Sequence, residues 1–168
     1  ITLAETLMRN ILVTLTATLA LGSIAAPVAL AQSGTHMASD HMMATPDELK
    51  WVDIPSLPPG AKLAVIEGPI NQAGPVTFRL RLPANYQIPA HWHPAIEHVT
   101  VISGTFNMGT GDKLDQTKSR ALTAGSVAIM QPKTNHFAWT KDETIVQVHG
   151  MGPWGVTYVN PADDPRKQ

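Results

Sequence analysis

Cysteine is absent from the 168 residues, which excludes disulfide staples, thiolate metal centres and cysteine nucleophiles. Charged residues amount to 15% and aromatics to 5% of the chain. With 43% hydrophobic residues beside them, so little charge is incompatible with general disorder. The charge present is also balanced, 12 Lys and Arg against 13 Asp and Glu, so there is no basic footprint for nucleic acid. Neither a GxxxxGK[ST] loop nor a GxSxG elbow occurs, which removes the signatures of P-loop nucleotide enzymes and of α/β-hydrolases. The length suits one domain.

Long hydrophobic runs are missing too, with one partial exception near the start. Met8-Arg9-Asn10 gives a short basic beginning, Ile11 to Leu21 is apolar but diluted by threonine, and Ala29-Leu30-Ala31 precedes Gln32. This is the layout of a secretory signal peptide. A membrane anchor needs about 20 apolar residues, and this run stops at about half that. The expectation is a leader and signal peptide over 1–31, cleavage after Ala31, and a secreted or periplasmic protein with no membrane contact after cleavage. Residues 32–45 are polar and lack an apolar period, so a flexible segment is expected there. His36-Met37 and His41-Met42-Met43 are soft ligand types, but in such a segment they read as tail. Residues 46–168 are then a single domain.

That domain is punctuated throughout. Pro55, Pro58-Pro59-Gly60, Gly68-Pro69, Gly74-Pro75, Pro83, Pro89, Pro94, Gly104, Gly109, Gly111, Gly125 and Pro132 leave little room for helices. One helical turn is expected at Thr45 to Lys50, where Thr45 can cap and Pro46 suits the first position. Between the breaks, side chains alternate. Val76, Phe78, Leu80 and Leu82 fall on one face of a strand, and Thr77, Arg79 and Arg81 on the other. Further strands are expected over 61–67, 96–103, 126–130, 144–149 and 156–159, all rich in Val, Ile and Thr. Short strands at this spacing indicate an all-β fold, an antiparallel sandwich or barrel.

Histidine carries the chemistry. His91-Trp92-His93 places two imidazoles at i and i+2, on one face of a strand. Glu97 follows within reach of the same point, and a hairpin-like return can bring His136 opposite the pair. Three imidazoles and a carboxylate suit one divalent transition metal per chain: Fe, Mn, Ni, Cu or Zn. The catalytic group is therefore read as His91, His93, Glu97 and His136, acting through the metal.

These residues resemble the cupin superfamily. Its first motif runs G-x5-H-x-H-x3,4-E-x6-G, and His91, His93, Glu97 and Gly104 match it, with Asn85 in place of the opening Gly. The second runs G-x5-P-x-G-x2-H-x3-N. Gly125 and His136 match it, Pro132 is displaced by one, Lys133 stands at the Gly position and Thr140 at the terminal Asn. The resemblance implies a jelly-roll β-barrel holding one metal, commonly in a homodimer.

Trp92, Trp139, Trp154 and His149 are candidates for contact with a ligand or substrate. His98, next to Glu97, faces the other way on a strand. The complete ligand set points to an oxidoreductase that uses O2 or peroxide, with Fe or Cu favoured, on an aromatic or saccharide substrate, up to oxidative polysaccharide cleavage. The alternatives are a non-catalytic periplasmic module for metal or small ligands, and a cupin isomerase or lyase.

Overall fold

The computed structural model describes residues 41–168; the leader, its cleavage point and His36-Met37 lie outside the described residues. Strands run in chain order as β1 (Val52–Asp53), β2 (Lys62–Glu67), β3 (Gly74–Leu82), β4 (Gln87–Trp92), β5 (Glu97–Ser103), β6 (Thr105–Thr110), β7 (Arg120–Thr123), β8 (Val127–Met130), β9 (His136–Thr140), β10 (Thr144–Gly152) and β11 (Thr157–Tyr158). One sheet has the order β1-β2-β3-β10-β5-β8, the other β11-β4-β9-β6-β7. All the pairings are antiparallel. From β3 to β6, and again from β7 to β11, the chain changes sheet at every step. That winding is a jelly roll, the expected all-β class. The turn expected after Thr45 is a 3-10 helix, Pro46–Glu48.

Alternation explains the first sheet. Val76, Phe78, Leu80 and Leu82 are buried along β3 while Thr77, Arg79 and Arg81 are not. Val146 and Val148 on β10 and Val99 and Val101 on β5 join them in one core. Each such side chain contributes about 1.5–3 kcal/mol on burial. Ile88, Phe106, Met108, Leu122 and Ala138 face them from the second sheet.

Gly104 turns the chain from β5 in one sheet to β6 in the other. Its φ is 76°, and a Cβ there would lie 2.5 Å from the Glu143 carbonyl oxygen and 2.6 Å from Thr144 Oγ1. Only glycine fits this corner.

Both departures from the cupin glycines keep the backbone that glycine would supply. Asn85 has φ 56° and Lys133 φ 60°. Asparagine tolerates the left-handed region, but lysine is strained there. Lys133 is held in place because its N–H donates to the His93 carbonyl at 2.9 Å, tying this turn to the strand end that carries the histidine pair. Lys133→Gly should therefore raise stability by up to about 1 kcal/mol, and Lys133→Val should lower it by about 1–2 kcal/mol. Urea unfolding midpoints measure both; equal midpoints for all three proteins would remove the strain from the account.

Candidate metal centre

β4 and β9 are neighbours, with His91 opposite His136. Between Ile88 and His91 the register slips: three steps along β4 span two along β9, from Ala138 to His136. This is a β-bulge. Residues three apart on a regular strand face opposite ways, yet Ile88 and His91 both line the same cavity. Pro89 sits inside the bulge, where no ladder N–H is required. His93, two beyond His91, also reaches the cavity, and on β9 His136 and Ala138 do likewise.

The three imidazoles converge. Ring centroids are 4.3 Å apart for His91 and His136, 5.0 Å for His91 and His93, and 5.1 Å for His93 and His136. One ligand nitrogen from each lies within 4.8 Å of the other two. Glu97 enters from β5 in the facing sheet. Its Oε1 is 3.4 Å from His93 Nε2, and its Oε2 is 3.4 Å from His136 Nε2. None of the four residues is more than 7% exposed.

Hydrogen bonding fixes the tautomers. Nδ1–H donates to the carbonyl of Pro89 in His91 at 2.8 Å, of Gly155 in His93 at 2.7 Å, and of Thr134 in His136 at 2.8 Å. Each Nε2 then carries a free lone pair, the arrangement seen when the second ring nitrogen orients a metal ligand. Burial lowers the pKa of all three, that of His91 well below 6.5 and that of His93 to about 4. Burial raises Glu97 to about 8. His93 Nε2 and Glu97 Oε2 are buried with no hydrogen-bond partner. Groups left in that state are costly, and a cation among them satisfies both. The donor set therefore fits a divalent metal, and the three histidines can hold one; the chemistry of the donors admits several.

The remaining candidates separate. Trp154 stacks on His93, with centroids 4.5 Å apart and planes at 24°. Trp92, Trp139 and His149 do not line the cavity. The cause is the two-residue period: Trp92 alternates with His91 and His93, and Trp139 with His136 and Ala138. Trp139 Nε1 donates to Ser119 Oγ at 2.9 Å. His149 alternates with the buried Val148 and is engaged with Thr77 Oγ1 at 3.3 Å and Gln147 Nε2 at 2.9 Å. His98 lies directly across from it on β5, exposed and facing away from Glu97.

Above the histidines lies a cavity of about 300 Å³, walled mainly by Leu63, Phe78, Val99, Met108, Val146 and Trp154. The apolar faces of β3 and β10 were legible in the sequence, but the empty space between the sheets carries no sequence signal. The Gly155 carbonyl is likewise invisible there, because any residue supplies one.

Residues 39–154 match the ChrR cupin-like domain. Among curated proteins none matches. Solved structures do. The polyketide cyclase RemF from Streptomyces resistomycificus is 16% identical, with TM-score 0.61 over 76% of this chain and 91% of its own. An RmlC-like cupin from Shewanella frigidimarina is 16% identical, with TM-score 0.53 over 66% and 90%. The DMSP lyase DddQ from Ruegeria pomeroyi is 16% identical, with TM-score 0.53 over 66% and 60%. At that identity the three share the fold and nothing more specific. Alongside the two-sheet winding and the histidine cluster at the β4–β9 pairing, the match over residues 39–154, most of the chain, places this protein in the ChrR cupin-like family.

Proposed function

We propose that this protein is a metal-dependent enzyme that oxidises a small apolar organic molecule. His91, His93, Glu97 and His136 would hold one divalent transition metal, iron or copper. The observation that carries this reading is that the donor cluster lies in an apolar cavity of about 300 Å³. When bound, the ion supplies the redox-active centre at which O2 or peroxide serves as oxidant.

The chain's own residues do the rest. Leu63, Phe78, Val99, Met108 and Val148 exclude water from the donors and offer contact to an apolar molecule. Phe78 and Trp154 meet edge to face with centroids 5.8 Å apart, a surface against which a ring can lie. Among the described residues, the charged ones of the lining besides the histidines and Glu97 are Asp53 and Arg166. Asp53 pairs with Lys62 and Arg166 with Asp164. Isomerase and lyase chemistry calls for a positioned acid or base beside the reacting carbon, and this wall supplies none outside the donor set. It also has few groups to meet the hydroxyls of a sugar, so of the aromatic and saccharide classes the aromatic fits better.

The test is consumption of O2 or peroxide by Fe(II)- or Cu(II)-loaded protein across small aromatic and glycan panels. His91→Ala protein loaded in parallel controls for free metal. We expect turnover on apolar aromatics at least about tenfold above that control. Binding of apolar compounds without turnover would replace this reading by that of a non-catalytic binding module.

A further inference from the structure

The three histidines are not oriented alike. His91 and His136 each donate to a carbonyl two residues earlier in their own segment, Pro89 and Thr134. His93 instead donates to Gly155, 62 residues along the chain, at 2.7 Å. The indole of the preceding residue, Trp154, stacks on the same imidazole. One two-residue stretch between β10 and β11 thus grips His93 by its edge and by its face.

We propose that Trp154 is a positioning residue for His93, and that the crossing it belongs to sets how tightly the centre holds its metal. The inference rests on the metal reading given above. Three contacts fix the indole. Its backbone N–H donates to the Ile70 carbonyl at 2.6 Å, and its ring meets Phe78 edge-on. Gly150 leaves room for it, since a Cβ there would lie 2.6 Å from Trp154 Cζ3. The ring therefore stands in a slot between Gly150, Phe78 and His93. The imidazole's terminal torsion is otherwise soft. A stacked indole closes that freedom and shields one face from water, while Gly155 fixes the rotation. Partners of this kind, lost from behind a metal ligand, typically weaken metal binding by about 10–100-fold.

The experiment uses the full chain with Trp154→Ala, Trp154→Phe and Gly150→Ala, each titrated with Co(II) against a chromophoric chelator, and the visible Co(II) spectrum recorded. We expect Trp154→Ala to weaken Co(II) by about 10–100-fold and to shift its spectrum, and Trp154→Phe to restore both to within about threefold. Gly150→Ala should weaken Co(II) as well, although Gly150 is no candidate ligand, because the added methyl displaces the indole. If Trp154→Ala fails to fold, Gly150→Ala and Trp154→Phe carry the comparison. Wild-type affinity and spectrum in the variants that fold would overturn the proposal while leaving the metal reading in place. No Co(II) binding by the unaltered protein would remove the metal reading, and this one with it.

Discussion

His136→Ala should leave the protein unable to keep a metal ion through gel filtration, with occupancy falling from one per chain to below about a tenth. His136 is the hinge of the cluster. It is 1% exposed, pairs across the β4–β9 ladder with His91, and stands 3.4 Å from Glu97. Its loss removes one donor and leaves Glu97 facing a void. His91→Ala should behave in the same way. His98→Ala should not, since that side chain points out of the sandwich. A stability readout accompanies the elemental one. Metal at 100–1,000 times its dissociation constant stabilises the folded state by about 2.7–4.1 kcal/mol. A chelator should therefore lower the melting temperature of the wild type and of His98→Ala, and leave His136→Ala where it was. Equal metal content in all four proteins would dismantle the assignment.

The metal-free protein should be most stable near pH 6.5 and lose about 2 kcal/mol between there and pH 8. Two opposed titrations produce this maximum. His93 falls from 6.5 to about 4 on folding, and burial moves His91 and His136 in the same direction. Below pH 6.5 the unfolded chain therefore takes up protons that the folded one refuses, and stability falls as pH falls. Glu97 rises from 4.5 to about 8. From pH 4.5 upward the unfolded chain releases a proton that the folded one retains, so this group lowers stability as pH rises through 8. Three imidazoles outweigh one carboxyl below 6.5, and above it Glu97 acts alone. Urea midpoints in the presence of chelator should trace this curve, and Glu97→Gln should flatten its alkaline limb. Stability that climbs steadily to pH 8 would mean that Glu97 is ionised in the metal-free fold.

The two-residue β1 aside, the strands legible in the sequence and the strands missed by it divide by sheet. Lys62–Glu67, Gly74–Leu82, Glu97–Ser103, Val127–Met130 and Thr144–Gly152 all belong to the first sheet. Their inward positions are mostly Val, Leu and Phe, with Ala128 and Met130 on β8, and a two-residue period shows at once. Of the second sheet only the short β11 and the histidine-bearing end of β4 were anticipated. Gln87–Trp92 is broken by Pro89, Thr105–Thr110 carries Asn107 and Gly109, and His136–Thr140 turns His136 and Ala138 inward. The sheet that bears the histidines has exchanged apolar pattern for ligand donors and space, and the signal for strand went with it. The histidine pair itself was legible because spacing alone brings His91 and His93 to one face. Trp92, Trp139 and His149 stay out of the cavity lining for the converse reason: a neighbour in sequence on a strand points to the far side.

The slip between Ile88 and His91 also divides one strand into two parts with different duties. On the near side of Pro89, Ile88 helps wall the cavity opposite Ala138; on the far side stand the paired donors. A bulge breaks the ladder locally, so a shift of backbone on one side is absorbed at the unpaired residue. At this strand cavity shape and donor geometry are therefore separately adjustable: the side chain at Ile88 can be enlarged or trimmed to admit a different molecule while the histidines beyond Pro89 keep their positions. Trp154, by contrast, walls the cavity and stacks on His93 at once.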